Sequence, residues 1–305
     1  MSGAPTLKRR DLYRDPVVDG REVQDRALAR FRRRMDALLV SRAQREEADL
    51  ERRLRAQPGV TRPNLVALIS PKGGVGKTTS TFLTGNVLAS HLKLRAVAVD
   101  ANPDFGTLGR LPGEHARARR SLVELLDDAE RLGTAAELRA YVSRLPSGLH
   151  LLAAPHDATL AASLGPDRYG ELVALLSCFY DTVLLDLGTG VAGPLARFAI
   201  DRADQLVLVT TPDWITASVV LDALEHLEHE RTTVVVNRAH PRKAAELRAV
   251  EECFRQRRLH RSVTIPYDER LAVMLDSGTY SLEALDRRTR LPVKRLGLAV
   301  AEQLV

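Results

Sequence analysis

Short apolar runs alternate with longer segments of helical periodicity from Asn64 onward. The runs are rich in β-branched residues and apolar throughout, which is typical of strands covered on both faces of a parallel sheet. The predicted strands are NLVALIS, RAVAVD, LHLLAAP, TVLLDL, QLVLVTT, TTVVVN and SVTIP. The predicted helical segments include 79–91, 121–142, 214–230 and 242–259. This alternation predicts an α/β fold in which helices flank a doubly wound, mostly parallel sheet.

The first 63 residues follow a different pattern. Residues 1–20 mix proline, glycine and alternating charges, which predicts disorder. Residues 21–56 place Val23, Leu28, Phe31 and further apolar side chains at three- and four-residue steps in an arginine-rich background, which predicts a basic amphipathic helix. The spacing is lost around residues 42–47, and residues 58–63 predict a break. We therefore expect a basic, partly disordered and partly helical extension over 1–63 and a globular domain over 64–305.

The formal net charge of +6 comes from this extension. Of the chain's 45 basic and 39 acidic residues, 16 and 10 lie in residues 1–63, which leaves 29 of each in the rest. A basic helix of this kind can face nucleic acid or anionic lipid, and it can equally be a solvated surface, so both interpretations stay open. The two cysteines have no metal-ligand spacing, and no apolar run suits export or a membrane span. These features predict a reduced cytoplasmic protein.

The segment SPKGGVGKTT, residues 70–79, joins a predicted strand to a predicted helix. Its glycines allow backbone N–H groups to converge on a phosphate, and the helix N-terminus adds partial positive charge. In such a loop Lys77 reaches the β- and γ-phosphates, Thr78 ligates Mg²⁺ and Thr79 bonds the α-phosphate. The predicted nucleotide-binding residues of the loop are Gly73, Gly74, Val75, Gly76, Lys77, Thr78 and Thr79. Pro71 replaces the first glycine of the strict G-x-x-x-x-G-K-[ST] pattern, so the loop is a variant of it.

The stretch K-G-G-V-G-K-T-T resembles the deviant Walker A motif of the MinD/ParA family of P-loop ATPases, and the resemblance covers about residues 64–305. It implies that Lys72 reaches across a dimer interface to the ATP bound by the partner. A cation placed in this way links the affinity of the dimer to the charge of the triphosphate. The alternative for Lys72 is an ordinary exposed loop lysine.

The strand in VLLDLGTG ends in Asp186 and runs into a glycine-rich turn. A carboxylate at the carboxyl end of a strand beside the phosphate loop is suited to hold the Mg²⁺ shell. Asp186 is therefore interpreted as the Walker B residue, and residues 188–190 as a loop that senses the γ-phosphate. A helix cap is the alternative role for such an aspartate.

The segment VAVDANPDFGTL, residues 97–108, resembles the family's switch I region, which commonly contains D-x-D. Asp100 matches the first aspartate of that pattern, but Asn102 occupies the second, which in the family orients the attacking water. An asparagine can form hydrogen bonds but cannot act as a base. Three interpretations are open. Asn102 positions the water and hydrolysis is slow, Asp104 positions the water instead, or the switch is driven mainly by binding. We favour slow hydrolysis.

Two later segments match the family's adenine pocket, namely VVVNRA and TIPYDERL. The resemblance implies that Asn237 reads the adenine edge and that Pro266 and Asp268 belong to a turn lining the base pocket. The basic C-terminal cluster, with Arg287, Lys294 and neighbouring arginines, lies where ParA-like dimers present charge to non-specific DNA; a solvated patch explains it equally well. The apolar face of the C-terminal helix is expected to pack against the sheet.

The family implies an ATP-dependent dimerising switch that binds ATP with Mg²⁺, hydrolyses it slowly, and acts in DNA or plasmid partitioning or in intracellular positioning. One alternative is an accessory ATPase of a secretion or conjugation system, similar to the MinD-like proteins of actinobacterial type VII systems, whose extension recruits a protein partner. Another is an ATP-bound scaffold with little turnover. The expected partners are a second copy of the chain, a protein partner and non-specific DNA, at the nucleoid or at a membrane surface.

Overall fold

The computed structural model describes residues 42, 44–102, 106–155, 157–227, 229–257 and 261–305. The predicted disorder over 1–20, and the predicted amphipathic helix as far as residue 41, lie outside the described residues. The chain divides into two compact units, Met1–Asp49 and Leu50–Val305. The first unit is helical over residues 44–49, and the second contains the sheet.

The sheet confirms the predicted α/β fold. Its described strands are β1 Asn64–Ile69, β2 Ala96–Ala101, β3 Val142–Arg144, β4 His150–Leu152, β5 Thr182–Leu187, β6 Gln205–Thr210, β7 Thr232–Ala239 and β8 Ser262–Pro266. They are ordered β3-β4-β2-β5-β1-β6-β7-β8. Every neighbouring pair is parallel except β3 and β4, which are antiparallel.

Helices cover both faces of this sheet. The described helices are α1 (residues 44–55), α2 Lys77–His91, α3 Leu122–Asp127, α4 Ala135–Leu138, α5 Ala158–Ser163, α6 Pro166–Ser177, α7 Pro194–Arg202, α8 Trp214–His226, α9 Ala244–Gln256, α10 Glu269–Asp276 and α11 Arg287–Ala301. Along β1, Val66 and Leu68 join one apolar cluster, whereas Leu65, Ala67 and Ile69 join the other. The strand is apolar throughout because both of its faces are covered. Within the described residues, no helix combines the length and apolarity needed to cross a membrane.

The prediction of one helix over 121–142 is wrong. Two short helices, α3 and α4, occupy this segment, and β3 begins at Val142. Each helix begins with its own capping box, in which Ser121 pairs with Glu124 and Thr134 pairs with Glu137. A capping box satisfies the free N–H groups of a helix start, so a second box marks a second start. The helical periodicity of the segment conceals this interruption.

The compact unit begins at Leu50, whereas the sequence pattern placed the domain boundary at residue 63. Leu50 and Leu54 are 5% and 1% exposed and belong to the apolar core. Glu51, on the same turn of α1, accepts a 2.6 Å hydrogen bond from Lys294 Nζ. The end of the expected extension is therefore part of the globular unit, because its apolar and acidic side chains have partners there.

The C-terminal helix packs into the core, as expected. Val293, Leu296 and Val300 of α11 are fully buried. Lys294 is also fully buried, although the sequence pattern grouped it with a basic cluster facing solvent or DNA. Its ammonium group lies 2.6 Å from Glu51 and 3.4 Å from Glu283. Burial with carboxylate partners removes this lysine from any surface patch.

Candidate active site

The phosphate loop lies at the carboxyl end of β1, the strand between β5 and β6 near the middle of the sheet. Gly74 and Gly76 have φ angles of 75° and 91°, a region that glycine adopts without strain. Gly76 is the N-cap of α2, so Lys77 begins the helix. Gly190 N donates a 3.0 Å hydrogen bond to Ser70 O, which ties the loop after β5 to the phosphate loop. A helix N-terminus preceded by such a loop is suited to bind phosphate.

Asn237 is hydrogen-bonded to the backbone of the phosphate loop. Its Nδ2 donates a 2.9 Å hydrogen bond to Val75 O, and the residue is 5% exposed. A Cβ on Gly76 would lie 2.0 Å from the same nitrogen, so the close approach requires glycine. The structure thus places Asn237 against the loop, and its contact with adenine stays a prediction.

Lys77 and Asp186 face each other at the base of the loop. Lys77 Nζ lies 3.8 Å from Asp186 Oδ1, and Thr81 Oγ1 donates a 3.3 Å hydrogen bond to that oxygen. The Thr78 hydroxyl also bonds the Asp186 carboxylate. Burial raises the pKa of Asp186, while the charge of Lys77 acts in the opposite direction. Because hydroxyl and carboxylate oxygens are ligands that Mg²⁺ prefers, Thr78 and Asp186 together fit a magnesium site.

Asp100 is adjacent to Asp186 because their strands pair in register. It is 1% exposed and accepts hydrogen bonds from Leu108 N at 2.9 Å and Asn102 N at 3.4 Å. Burial, reinforced by the negative charge of Asp186, raises the pKa of Asp100 to about 7. Gly106 adjoins this carboxylate so closely that a Cβ would lie 2.3 Å from its oxygens. Two neighbouring buried carboxylates create a site that favours a proton or a metal cation.

Asn102 follows β2 and is half-buried. It lines a cavity of about 970 Å³ together with Asp100 and with residues that follow β4, such as Ala153. The structure brings Asn102 next to Asp100, and its role in positioning water stays a prediction. The alternative residue for that role, Asp104, lies outside the described residues.

Lys72 contacts a different element from Lys77. Its Nζ donates a 3.2 Å hydrogen bond to Thr216 Oγ1 in the first turn of α8. The two lysines of the loop therefore have different surroundings. Lys72, Gly73, Gly74 and Val75 line one side of a cavity of about 350 Å³. The cavity is also lined by Arg238, Lys243 and Tyr267, none of which is among the predicted site residues.

Arg238 lies at the carboxyl end of β7, while Lys243 and Tyr267 follow β7 and β8, at the edge where ligands bind to α/β sheets. Their position at or after strand ends was the available signal. Pro266 ends β8 opposite Ala239 of β7. Asp268 caps α10 by accepting hydrogen bonds from Arg270 N and Leu271 N at 2.9 and 3.3 Å. Its other carboxylate oxygen accepts a hydrogen bond from the Thr289 hydroxyl. The predicted contact of Pro266 and Asp268 with the base stays untested.

The family model of the CobQ/CobB/MinD/ParA nucleotide binding domain matches residues 66–281. The ESX-1 secretion-associated protein EspI of Mycobacterium tuberculosis H37Rv is 29% identical over 273 residues, which cover 86% of this chain but 40% of that protein. The septum site-determining protein MinD of Synechocystis is 26% identical over 219 residues, covering 70% of this chain and 80% of that protein.

Solved structures share the fold. A ParA family ATPase from Chlorobium tepidum superimposes with a TM-score of 0.61 at 19% identity, covering 76% of this chain and 96% of that one. The MinD protein of Pyrococcus horikoshii, solved with Mg-ADP, has a TM-score of 0.60 at 18% identity, with coverages of 77% and 94%. Since the family model matches most of the chain, and the sheet and phosphate loop agree with it, this protein belongs to the MinD/ParA family of P-loop ATPases.

Proposed function

We propose that this protein binds ATP with Mg²⁺, dimerises with the nucleotides between the two copies, and hydrolyses ATP slowly to return to the monomer. The observation that carries the proposal is the division between the two loop lysines. Lys77 faces the buried carboxylate of Asp186 within its own site, whereas Lys72 bonds to Thr216 on a neighbouring helix. This difference supports a role for Lys77 at the chain's own phosphates and a role for Lys72 toward a partner.

The residues at the base of the loop fit Mg²⁺-ATP. Thr78 and Asp186 would hold the metal, and bound Mg²⁺ supplies positive charge that stabilises the charge developing on the phosphate oxygens. Asp100 supports this assignment because its carboxylate lies beside that of Asp186 and its pKa is raised. Lys77 and the N–H groups of the loop bind and orient the triphosphate.

The surface beside Lys72 favours a second copy of the chain as the partner. Trp214, Ile215 and Val219 of α8 are 54%, 72% and 40% exposed. Single exposed apolar residues are ordinary, but a tryptophan and two aliphatic residues on the helix that Lys72 contacts form an apolar surface. Aromatic anchors of this kind dominate binding energy at protein interfaces. By family resemblance, Lys72 of each copy contacts the ATP of the other.

Asn102 accounts for the slow rate in this proposal. It can align a water molecule through its amide but cannot accept the proton. Turnover then depends on the positive groups around the phosphates. The competing hypothesis is an ATP-bound scaffold without turnover. It would be excluded by phosphate release that disappears in the Lys77→Ala variant.

The names of the relatives favour two different cellular roles. Relatives named septum site-determining proteins favour intracellular positioning or DNA partitioning. The alignment with EspI, named as secretion-associated, covers 86% of the chain and favours an accessory role in secretion with a protein partner. ATP-dependent, salt-sensitive binding of random DNA would support partitioning on DNA. Without such binding at low salt, the DNA role fails and the secretion role stands.

Sizing by light scattering with ADP, with ATP and with ATP plus Mg²⁺ tests the dimer. We expect the dimer only with ATP, and we expect Lys72→Ala to remain monomeric while still binding nucleotide. Arg248→Ala is the charge-matched control, because Arg248 is an exposed residue of α9 with no ion pair among the described contacts. A Lys72→Ala protein that dimerises as readily as the control would refute the role of Lys72.

A further inference from the structure

Another cavity lies at the end of the sheet opposite to the phosphate loop. It has a volume of about 360 Å³ and is lined by Arg95 and Ala96 at the amino end of β2 and by His150 at the amino end of β4. Residues after the carboxyl end of α2 complete one wall. Since α2 begins at the phosphate loop, the two sites stand at opposite ends of the same helix.

The inner lining of this cavity is largely apolar. Leu94, Leu138 and Phe179 contribute to it, and Leu138 is 2% exposed. Aromatic and aliphatic walls with a few polar groups are typical of small-molecule sites, and the volume is near the lower end of their usual range of about 300–1,000 Å³. The lining therefore suits one compact apolar group.

The rim of the cavity is positively charged. Lys93, Arg139 and Arg144 are exposed and come from three different elements, after α2, after α4 and from β3. A fourth cation, Arg95, is neutralised by Asp181 at 2.5 Å. Among the described contacts, none of the first three forms an ion pair, and no carboxylate lines the cavity. The rim thus has unbalanced positive charge directed at one opening.

The pKa of His150, in the cavity wall, is affected by this positive charge. Its Nδ1 lies 2.7 Å from the Tyr180 hydroxyl, and the two rings meet edge to face at 5.5 Å. Burial, together with the positive charges of Arg144 and Arg139, lowers the pKa of His150 to about 4. Both arginines also line the cavity itself, so their charge acts on its wall. An anion placed between them would be attracted by the same field.

We propose that this cavity binds a small organic anion, with its carboxylate, sulfonate or phosphate between Arg139 and Arg144 and an aryl or short acyl group against Leu138 and Phe179. The cations converge on one opening from separate elements, which favours a compact anion over an extended acidic peptide. The site is independent of the nucleotide and has its own ligand chemistry.

The probe for this site is 8-anilinonaphthalene-1-sulfonate, an aromatic anion whose fluorescence rises on binding. Its titration uses the full chain at low salt and is repeated with saturating ADP and Mg²⁺, so that binding at the phosphate loop is recognised by competition. The matched neutral probe is N-phenyl-1-naphthylamine, which has the aromatic rings but no sulfonate. In the unchanged protein we expect the anion to bind more tightly than the neutral probe and to shift the imidazole NMR signals of His150.

The double variant Arg139→Gln/Arg144→Gln should weaken binding of the anionic probe about tenfold, because it removes two of the cations that attract the sulfonate. It should leave binding of the neutral probe unchanged. Arg248→Gln, on α9, is the matched control and should leave both probes unchanged. Ala135→Trp, which fills the cavity while keeping its charges, should abolish binding of both probes.

Three results would overturn the proposal. The first is that the anionic probe binds the double variant and the Arg248→Gln control with equal affinity. Another is competition of the whole signal by ADP, which assigns it to the phosphate loop. The third is binding of poly-glutamate with no binding of the small anion, which assigns the rim to an acidic protein partner instead.

Discussion

Asp100 provides the sharpest test of the electrostatics of this site. Its carboxylate is buried beside that of Asp186, and this environment raises its pKa from the usual 3.8 to about 7. The substitution Asp100→Asn removes the titrating group but keeps its shape. The amide oxygen can still accept the hydrogen bond from Leu108 N.

The size of the effect follows from linkage. Between pH 3.8 and about 7 the folded protein holds a proton on Asp100 that the unfolded chain has lost. The free energy of unfolding therefore falls as the pH rises through this window. For one carboxyl with these two pKa values, the fall amounts to roughly 2.5 kcal/mol between about pH 5 and pH 8. The asparagine variant lacks this contribution.

Urea unfolding of the nucleotide-free protein, followed by circular dichroism at several pH values, measures the difference. The stability of Asp100→Asn relative to the unchanged protein should increase by roughly 2.5 kcal/mol from about pH 5 to pH 8. Asp201→Asn, which removes an exposed carboxylate from α7, is the control for loss of a surface charge. A stability difference for Asp100→Asn that is the same at every pH would refute the reasoning.

Further predictions concern the loop, the switch and α1. Gly76→Ala should lower the free energy of unfolding by about 2–3 kcal/mol and weaken nucleotide binding, because the φ of Gly76 is 91° and a Cβ would lie 2.0 Å from Asn237 Nδ2. Urea denaturation and nucleotide titration measure the two effects. The control Gly133→Ala should change neither the stability nor the nucleotide affinity. Asn102→Asp should speed phosphate release in a steady-state assay, and an equal rate would remove the assigned role of this residue. Glu51→Gln should destabilise the protein by about 1–3 kcal/mol in urea unfolding, because it leaves buried Lys294 with fewer carboxylate partners; an unchanged midpoint would contradict that account.

Local sequence patterns predicted most of the sheet. Runs such as those of β1 and β5 are apolar on both faces, and burial under helices on both sides leaves this pattern in the sequence. β3 escaped prediction because three residues at an antiparallel edge are too few to show a period. The sequence pattern does not predict the break between α3 and α4, because the helical periodicity continues across it. The two capping boxes were the available signal of two separate helix starts.

The boundary at the start of the compact unit depended on distant partners. Nothing in residues 42–56 alone indicates that Leu50 and Leu54 enter the core. Their burial, and the pairing of Glu51 with Lys294 at a separation of 243 residues, required the packing of residues 50–54 within the second unit. The same packing took Lys294 out of the basic surface expected from its neighbours.

The sequence by itself determined the phosphate loop, because glycines, a lysine and threonines at fixed spacing between a strand and a helix act through local backbone geometry. The tertiary structure alone decided how the surrounding groups behave. It placed Asp100 beside Asp186 through strand pairing, directed Lys72 to Thr216, and set Asn237 against the loop. Electrostatic and packing interactions act through space, so residues far apart in the chain set the charge and shape of the site.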